Sequence, residues 1–144
     1  MILKDLASIP SAYRDRIEKV KKVKPMISGT YTILQNPHII LSSGKYSQEI
    51  LFLGEVDPDT NIKIYCSCPS FNYEFAHILN DNECLLHPER FKIAIRKTPR
   101  EKNQKNVLTG CKHCIAAAQF TQKKMDKLQE IYKDKEKPNV RQLR

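Results

Sequence analysis

Residues 62–71 read Ile-Lys-Ile-Tyr-Cys-Ser-Cys-Pro-Ser-Phe. Ile62 to Cys66 carries the β-branched and aromatic residues of a strand, and Pro69 turns the chain just beyond it. Two thiols, Cys66 and Cys68, therefore stand where a strand ends. Upstream, Tyr31 to Leu34, His38 to Leu41 and Gln48 to Leu53 have the same strand composition. Turn chemistry separates them at Asn36-Pro37, Ser43-Gly44 and Asp57-Pro58-Asp59-Thr60-Asn61. The stretch 30–66 reads as a small antiparallel meander.

Helices are expected on both sides of it. Tyr13, Ile17 and Val20 fall at i, i+4, i+7 on a helix near residues 9–24, begun by Ser8 and Pro10 and ended by Pro25 and Gly29. Its bases, Arg14, Arg16, Lys19, Lys21, Lys22 and Lys24, spread over the remaining faces, as on an ordinary amphipathic helix. Phe71, Phe75 and Ile78 have the spacing of a short helix over 71–80. Residues 80–110 carry few structural signals and read as a long insertion. Cys114, Ala118, Thr121, Met125, Leu128 and Tyr132 then hold one helical stripe from Lys112 to Glu136, stopped by Pro138. Residues 138–144 form a basic tail.

The chain has 144 residues, with 40% hydrophobic and 28% charged, and a net charge of +9. That length and balance suit one soluble domain that buries about two-thirds of its extended surface. No run approaches the length of a membrane span. Asp5 interrupts what would be the apolar part of an export signal, so a cytoplasmic, reducing compartment is expected. The four glycines stand far apart, which leaves no phosphate-cradling loop or dinucleotide fingerprint. Neither Gly-x-Ser-x-Gly nor His-Glu-x-x-His occurs. Five cysteines are an odd number for a disulfide framework and point to metal or plain thiols.

Charge is segregated. From Glu49 to Glu83 there are seven acids and one base; from Arg90 to Lys112, eight bases and one acid. The eight are Arg90, Lys92, Arg96, Lys97, Arg100, Lys102, Lys105 and Lys112. Like charges this dense repel one another unless a polyanion relieves them, although a solvated charged loop has the same composition.

The second chemical motif is Gly110-Cys-Lys-His-Cys-Ile-Ala-Ala117 at the start of the long helix. Zinc takes thiolate sulfur and imidazole nitrogen in a tetrahedron, and four protein ligands close it. Cys66 and Cys68 after a hairpin, with Cys111 and His113 at a helix start, make a coherent set. Cys111-x-x-Cys114 is also zinc spacing, but Cys114 heads the apolar stripe and His113 points about 100° away from it. Cys84-Leu-Leu-His87 is a possible second half-site, for which His38 and His77 have no recognisable spacing. Phe71, Tyr73 and Phe75 suit either a core or base stacking.

The pattern Cys66-x-Cys68…Cys111-x-His113 resembles the SWIM-type zinc finger, C-x-C…C-x-H on a β-β-α unit. Cys66-Ser-Cys-Pro-Ser-Phe71 is close to its first half and Gly110-Cys-Lys-His113 to its second, the match covering roughly residues 48–122. The resemblance implies Cys66, Cys68, Cys111 and His113 as ligands of one Zn2+. Here 42 residues, 69–110, separate the halves, an elongation similar to SWIM-like proteins of tailed bacteriophages. The family's association with DNA and with protein contacts makes nucleic acid, DNA before RNA, the expected partner. A phage assembly or virion role is the alternative. No enzyme activity, small-molecule substrate or membrane is expected.

The expected architecture is α+β: an N-terminal helix, a small antiparallel meander, a zinc-stapled hairpin and a long C-terminal helix. Within one domain the chain divides into 1–47, the zinc-binding module 48–122 with its basic insertion 69–110, and 123–144.

Overall fold

A computed structural model describes residues 1–8, 17–20, 22–25, 31–33, 36–91 and 108–133. The fold is α+β, as expected. Five strands are described: β1 (Val23–Pro25), β2 (Tyr31–Ile33), β3 (Asn36–Ser43), β4 (Tyr46–Phe52) and β5 (Ile62–Cys66). They form one antiparallel sheet in the order β1-β3-β4-β5, with β2 also paired to β3. The helices are α1 (Leu3–Ala7), α2 (Ala76–Asp81), α3 (Lys112–Lys123) and α4 (Met125–Tyr132). A π-helical turn at Phe71–Phe75 leads into α2, and a 3-10 turn spans Pro88–Phe91.

The β3–β4 hairpin closes through Gly44 and Lys45, between the paired Ser43 and Tyr46. Gly44 has φ 62°, a left-handed conformation that costs glycine nothing and suits the twist of a two-residue hairpin. The register then places Leu41, Gln48, Ile50, Ile64 and Cys66 on one face, since partners across a ladder share a face. All five are buried. Helices α1 and α3 pack together, and α3 also meets β4 and β5. Leu3, Leu6, Ile115 and Ala118 complete this core.

On the opposite face, the Tyr65 ring meets the rings of Phe71, His87 and Phe91. Residues 84–86 run beside β5: Ile64 donates its N–H to the Cys84 carbonyl, and Leu86 donates to that of Ile64, at 2.8 and 2.9 Å. Cys84, Leu85, Leu86 and Phe91 are buried. The described part of the expected insertion is therefore built into the core. Its few apolar residues supply a flank to the edge of the sheet, which composition averaged over 80–110 concealed.

The N-terminal region also differs. Residues 9–16 and 21 of the expected helix lie outside the described residues. Ile17 is buried, but Val23–Pro25 is strand β1, so the helix stops short of residue 24. Val23 is β-branched, and a residue before proline, here Lys24, disfavours helical backbone. The C-terminal stripe holds: Cys114, Ala118, Thr121, Met125 and Tyr132 are buried. The helix breaks once, at Lys124.

Candidate metal centre

Cys66 reaches the site as the last residue of β5, opposite Gln48. Cys68 lies two residues on, where the chain leaves the sheet; the Phe71 N–H donates to its Sγ at 3.4 Å. Cys111 is the N-cap of α3 and His113 lies in its first turn. That position suits a thiolate, because the helix dipole presents positive charge there.

The four donor atoms of Cys66, Cys68, Cys111 and His113 all lie within 4.8 Å of one another, and all four residues are buried. Cys111 Sγ is 3.9 Å from His113 Nδ1, so the nitrogen turned toward the sulfurs is Nδ1. For metal–sulfur bonds of about 2.3 Å, a tetrahedron has edges of about 3.8 Å. The group fits a metal ion with little rearrangement.

Neighbouring groups support the sulfurs. Gln48 Nε2 donates to Cys66 Sγ at 3.6 Å, and the Ser43 hydroxyl donates to Gln48 Oε1 at 3.0 Å. Sequence reading missed Gln48. Its signal was a polar residue at an inward position, alternating with Ile50 and Phe52. The Tyr46 ring packs on His113 with centroids 5.1 Å apart.

The electrostatics are those of one thiolate among thiols. Hydrogen bonds from Cys111, Cys114 and Cys68 pull Cys66 far below an ordinary thiol. The Cys111 contact favours ionised Cys68, but the Cys66 thiolate and burial outweigh it and push Cys68 up to about 11. Burial raises Cys111 and Cys114. Cys68 and Cys111 thus favour the protonated form, which a cation at the site would displace, while Cys114 lies outside the ligand group.

Cys114 is buried beside this group but is not among the four converging residues. A Cβ placed on Gly110 would lie 2.7 Å from Cys114 Cβ and 3.1 Å from Ile64 Cδ1. Only glycine lets the chain pass between the helix and β5 at this point.

Cys84 and His87 have separate partners. Cys84 Sγ donates to the Asn82 carbonyl and lies 3.5 Å from the Met1 amine. His87 Nε2 instead lies 3.0 Å from Glu49 Oε1, the oxygen that His38 Nε2 approaches at 2.7 Å. Sequence reading did not find Glu49. Burial would raise its carboxyl, but the hydrogen bonds from His38 and His87 outweigh that and hold it below 4.5. His87 has a left-handed backbone, φ 59°, which costs a non-glycine residue about 1–2 kcal/mol. Of the aromatic trio, Phe71 and Phe75 are core, while Tyr73 is 71% exposed.

Of the expected nucleic-acid residues, Arg90 and Lys112 are described. Arg90 is exposed, its guanidinium 5.0 Å above the Tyr65 ring and 4.0 Å from Glu49 Oε2. Lys112 is half-buried between Cys111 and His113. Lys92, Arg96, Lys97, Arg100, Lys102 and Lys105 lie outside the described residues. No helix among those described is long and apolar enough to cross a membrane. Comparisons with protein-family models, curated proteins and solved structures found no match.

Proposed function

We propose that this chain is a zinc-stapled, SWIM-like module that binds nucleic acid through its basic run, Arg90 to Lys112, and catalyses no reaction. The observation that carries the reading is the union of a closed metal-ligand group with that run. Lys112, its last base, sits between two members of the group. Arg90, its first, lies over Tyr65 on the sheet. Both ends of the run are thereby anchored to the described fold.

Three thiolates with one imidazole are a donor set that zinc favours. Bound there, zinc would cross-link β5 to α3 and close the 42-residue stretch 69–110, whose closure otherwise costs chain entropy. Four protein ligands leave no position for a water nucleophile, which makes the ion structural in this reading.

Metal analysis of the purified chain should give one zinc per molecule. Binding to random-sequence duplex DNA should weaken with salt. If about four of the eight bases meet phosphates, log K against log salt has a slope of about −3.6. No binding to DNA or RNA at low salt would refute the nucleic-acid reading and favour a protein-assembly role.

A further inference from the structure

Four lysines outside the long basic run's interior gather at one end of the sheet. Lys22 precedes the edge strand β1 and Lys24 lies within it, where Val23 pairs with Ser43 and Lys24 with Ser42. Lys45 stands in the adjoining hairpin turn, its Nζ 5.4 Å from the centroid of Tyr46. The Tyr46 ring packs on His113, next to Lys112. The backbone closes this rim: Ser67 donates to the Ser47 carbonyl, and the Ser47 N–H to the Ser67 hydroxyl, at 3.1 and 3.0 Å. That pair fixes the hairpin beside the Cys66–Cys68 turn.

The rim carries one sign of charge. Residues 22–25, 42–48, 66–70 and 108–114 contain no acid. Lys22, Lys24 and Lys45 are exposed and Lys112 is partly so. None of the four forms an ion pair with a described residue. Three thiolates around a divalent ion would leave one negative charge buried beneath them, against four positive charges on the rim. Of the acids on these strands, Glu49 lies inside β4 and contacts His38 and His87. Glu55, Asp57 and Asp59 occupy the β4–β5 loop, at the far end of seven-residue β4, about 20 Å away. That end also carries Lys4, whose N–H donates to the Pro58 carbonyl, and Lys63, paired with Leu51, whereas the rim carries bases alone and so draws a polyanion.

We infer that the metal-site rim formed by Lys22, Lys24, Lys45 and Lys112 is a docking surface for the phosphate backbone of a nucleic acid. The inference rests on the nucleic-acid reading above and adds to it a surface whose shape is set by the hairpin and the metal ligands. Lys112 belongs to both the rim and the basic run.

The test is a salt series with random-sequence duplex DNA on the zinc-loaded full chain, with zinc content and melting temperature recorded for each variant. Rim contacts would make the wild-type slope of log K against log salt steeper than the value of about −3.6 for the run alone. K22Q/K24Q/K45Q/K112Q should keep its zinc and flatten that slope by about 0.9 per lysine that meets a phosphate, about 3.6 for all four. The pairs K22Q/K24Q and K45Q/K112Q should each remove about half of that, which keeps the test decisive if the quadruple variant misfolds. K123Q/K124Q/K127Q, on exposed positions of the α3–α4 junction, should leave the slope unchanged. If wild type binds, R96Q/K97Q/R100Q/K102Q flattens the slope and the rim variants do not, the rim is overturned while the nucleic-acid reading stands. If the K123Q/K124Q/K127Q control flattens it equally, binding follows total charge and the rim is likewise overturned. If wild type itself fails to bind, both fall together.

Discussion

Gln48 and Cys66 face each other across β4 and β5, and the Gln48 amide donates to the Cys66 sulfur at 3.6 Å. The amide is itself fixed, because its oxygen accepts from the Ser43 hydroxyl. A metal ligand on the last residue of a strand is thereby oriented by the strand beside it. Groups of this kind tune metal affinity although they never touch the ion. Gln48→Leu should retain the fold and lower zinc affinity by about 10- to 100-fold, read by competition with a chromophoric chelator. An unchanged affinity would show that the Cys66 sulfur needs no such donor.

Ligand identity is tested at two adjacent positions. His113→Ala should lose or badly weaken zinc. Cys114→Ala should keep it and cost only packing, on the order of 1 kcal/mol for so small a group. Metal content and melting temperature of the two variants separate the cases. Zinc retained in His113→Ala and lost in Cys114→Ala would exchange the two roles.

Gly110→Ala should be far more costly than a surface glycine replacement. The added methyl would meet Cys114 Cβ at 2.7 Å and Ile64 Cδ1 at 3.1 Å, and both residues are buried. A loss of about 1–3 kcal/mol is expected from overpacking, measured by denaturant unfolding of the zinc-loaded protein. Because Gly110 adjoins Cys111, zinc affinity should fall as well.

Glu49 predicts an acid-side loss of stability. Its folded carboxyl titrates below 4.5, so its contribution is complete above that value and disappears as pH falls through the folded one. Glu49→Gln should cost about 1.5–3 kcal/mol at neutral pH, the range for hydrogen bonds to a charged group. The difference between wild type and variant should shrink below pH 4.5. Acid also displaces zinc from thiolates, so the readout is that difference in unfolding free energy at matched pH. A gap that stays constant into acid would mean that the carboxylate charge contributes nothing.

Removing zinc should lower the melting temperature, since the ion would join β5 to α3 across residues 69–110. Scanning calorimetry before and after dialysis against a chelator measures this. An unchanged transition after verified metal loss would argue that the sheet and helices hold together without the staple.

Local chemistry made much of the architecture legible in the chain. Strands over 31–34, 38–41, 48–53 and 62–66 were readable because β-branched runs alternate with Ser-Gly and Asp-Pro-Asp turn residues, whereas Asn36-Pro37, expected as a turn, opens β3 and pairs with β2. The observed strands differ mainly at their ends. The C-terminal stripe was readable because a helix repeats its face every 3.6 residues. The end of the N-terminal helix was misjudged, because the spacing of Tyr13, Ile17 and Val20 carried past the local effect of Pro25 on its neighbour.

What the sequence determined alone was the sequence-local part: the strand pattern, the helical stripe, the two ligand motifs and the separation of charge. Only the tertiary structure decided which distant groups meet. Gln48 comes to Cys66 by β4–β5 register, Glu49 to His38 by β3–β4 pairing, and His87 to the same oxygen because residues 84–86 lie along β5. Lys22, Lys24 and Lys45 belong to two separate stretches of sequence and share an end of the sheet through the pairing of β1 with β3. Spacing along a chain encodes contacts within a helix or across a tight turn. Contacts between strands depend on register, which is fixed only when each strand turns its apolar face to the common core.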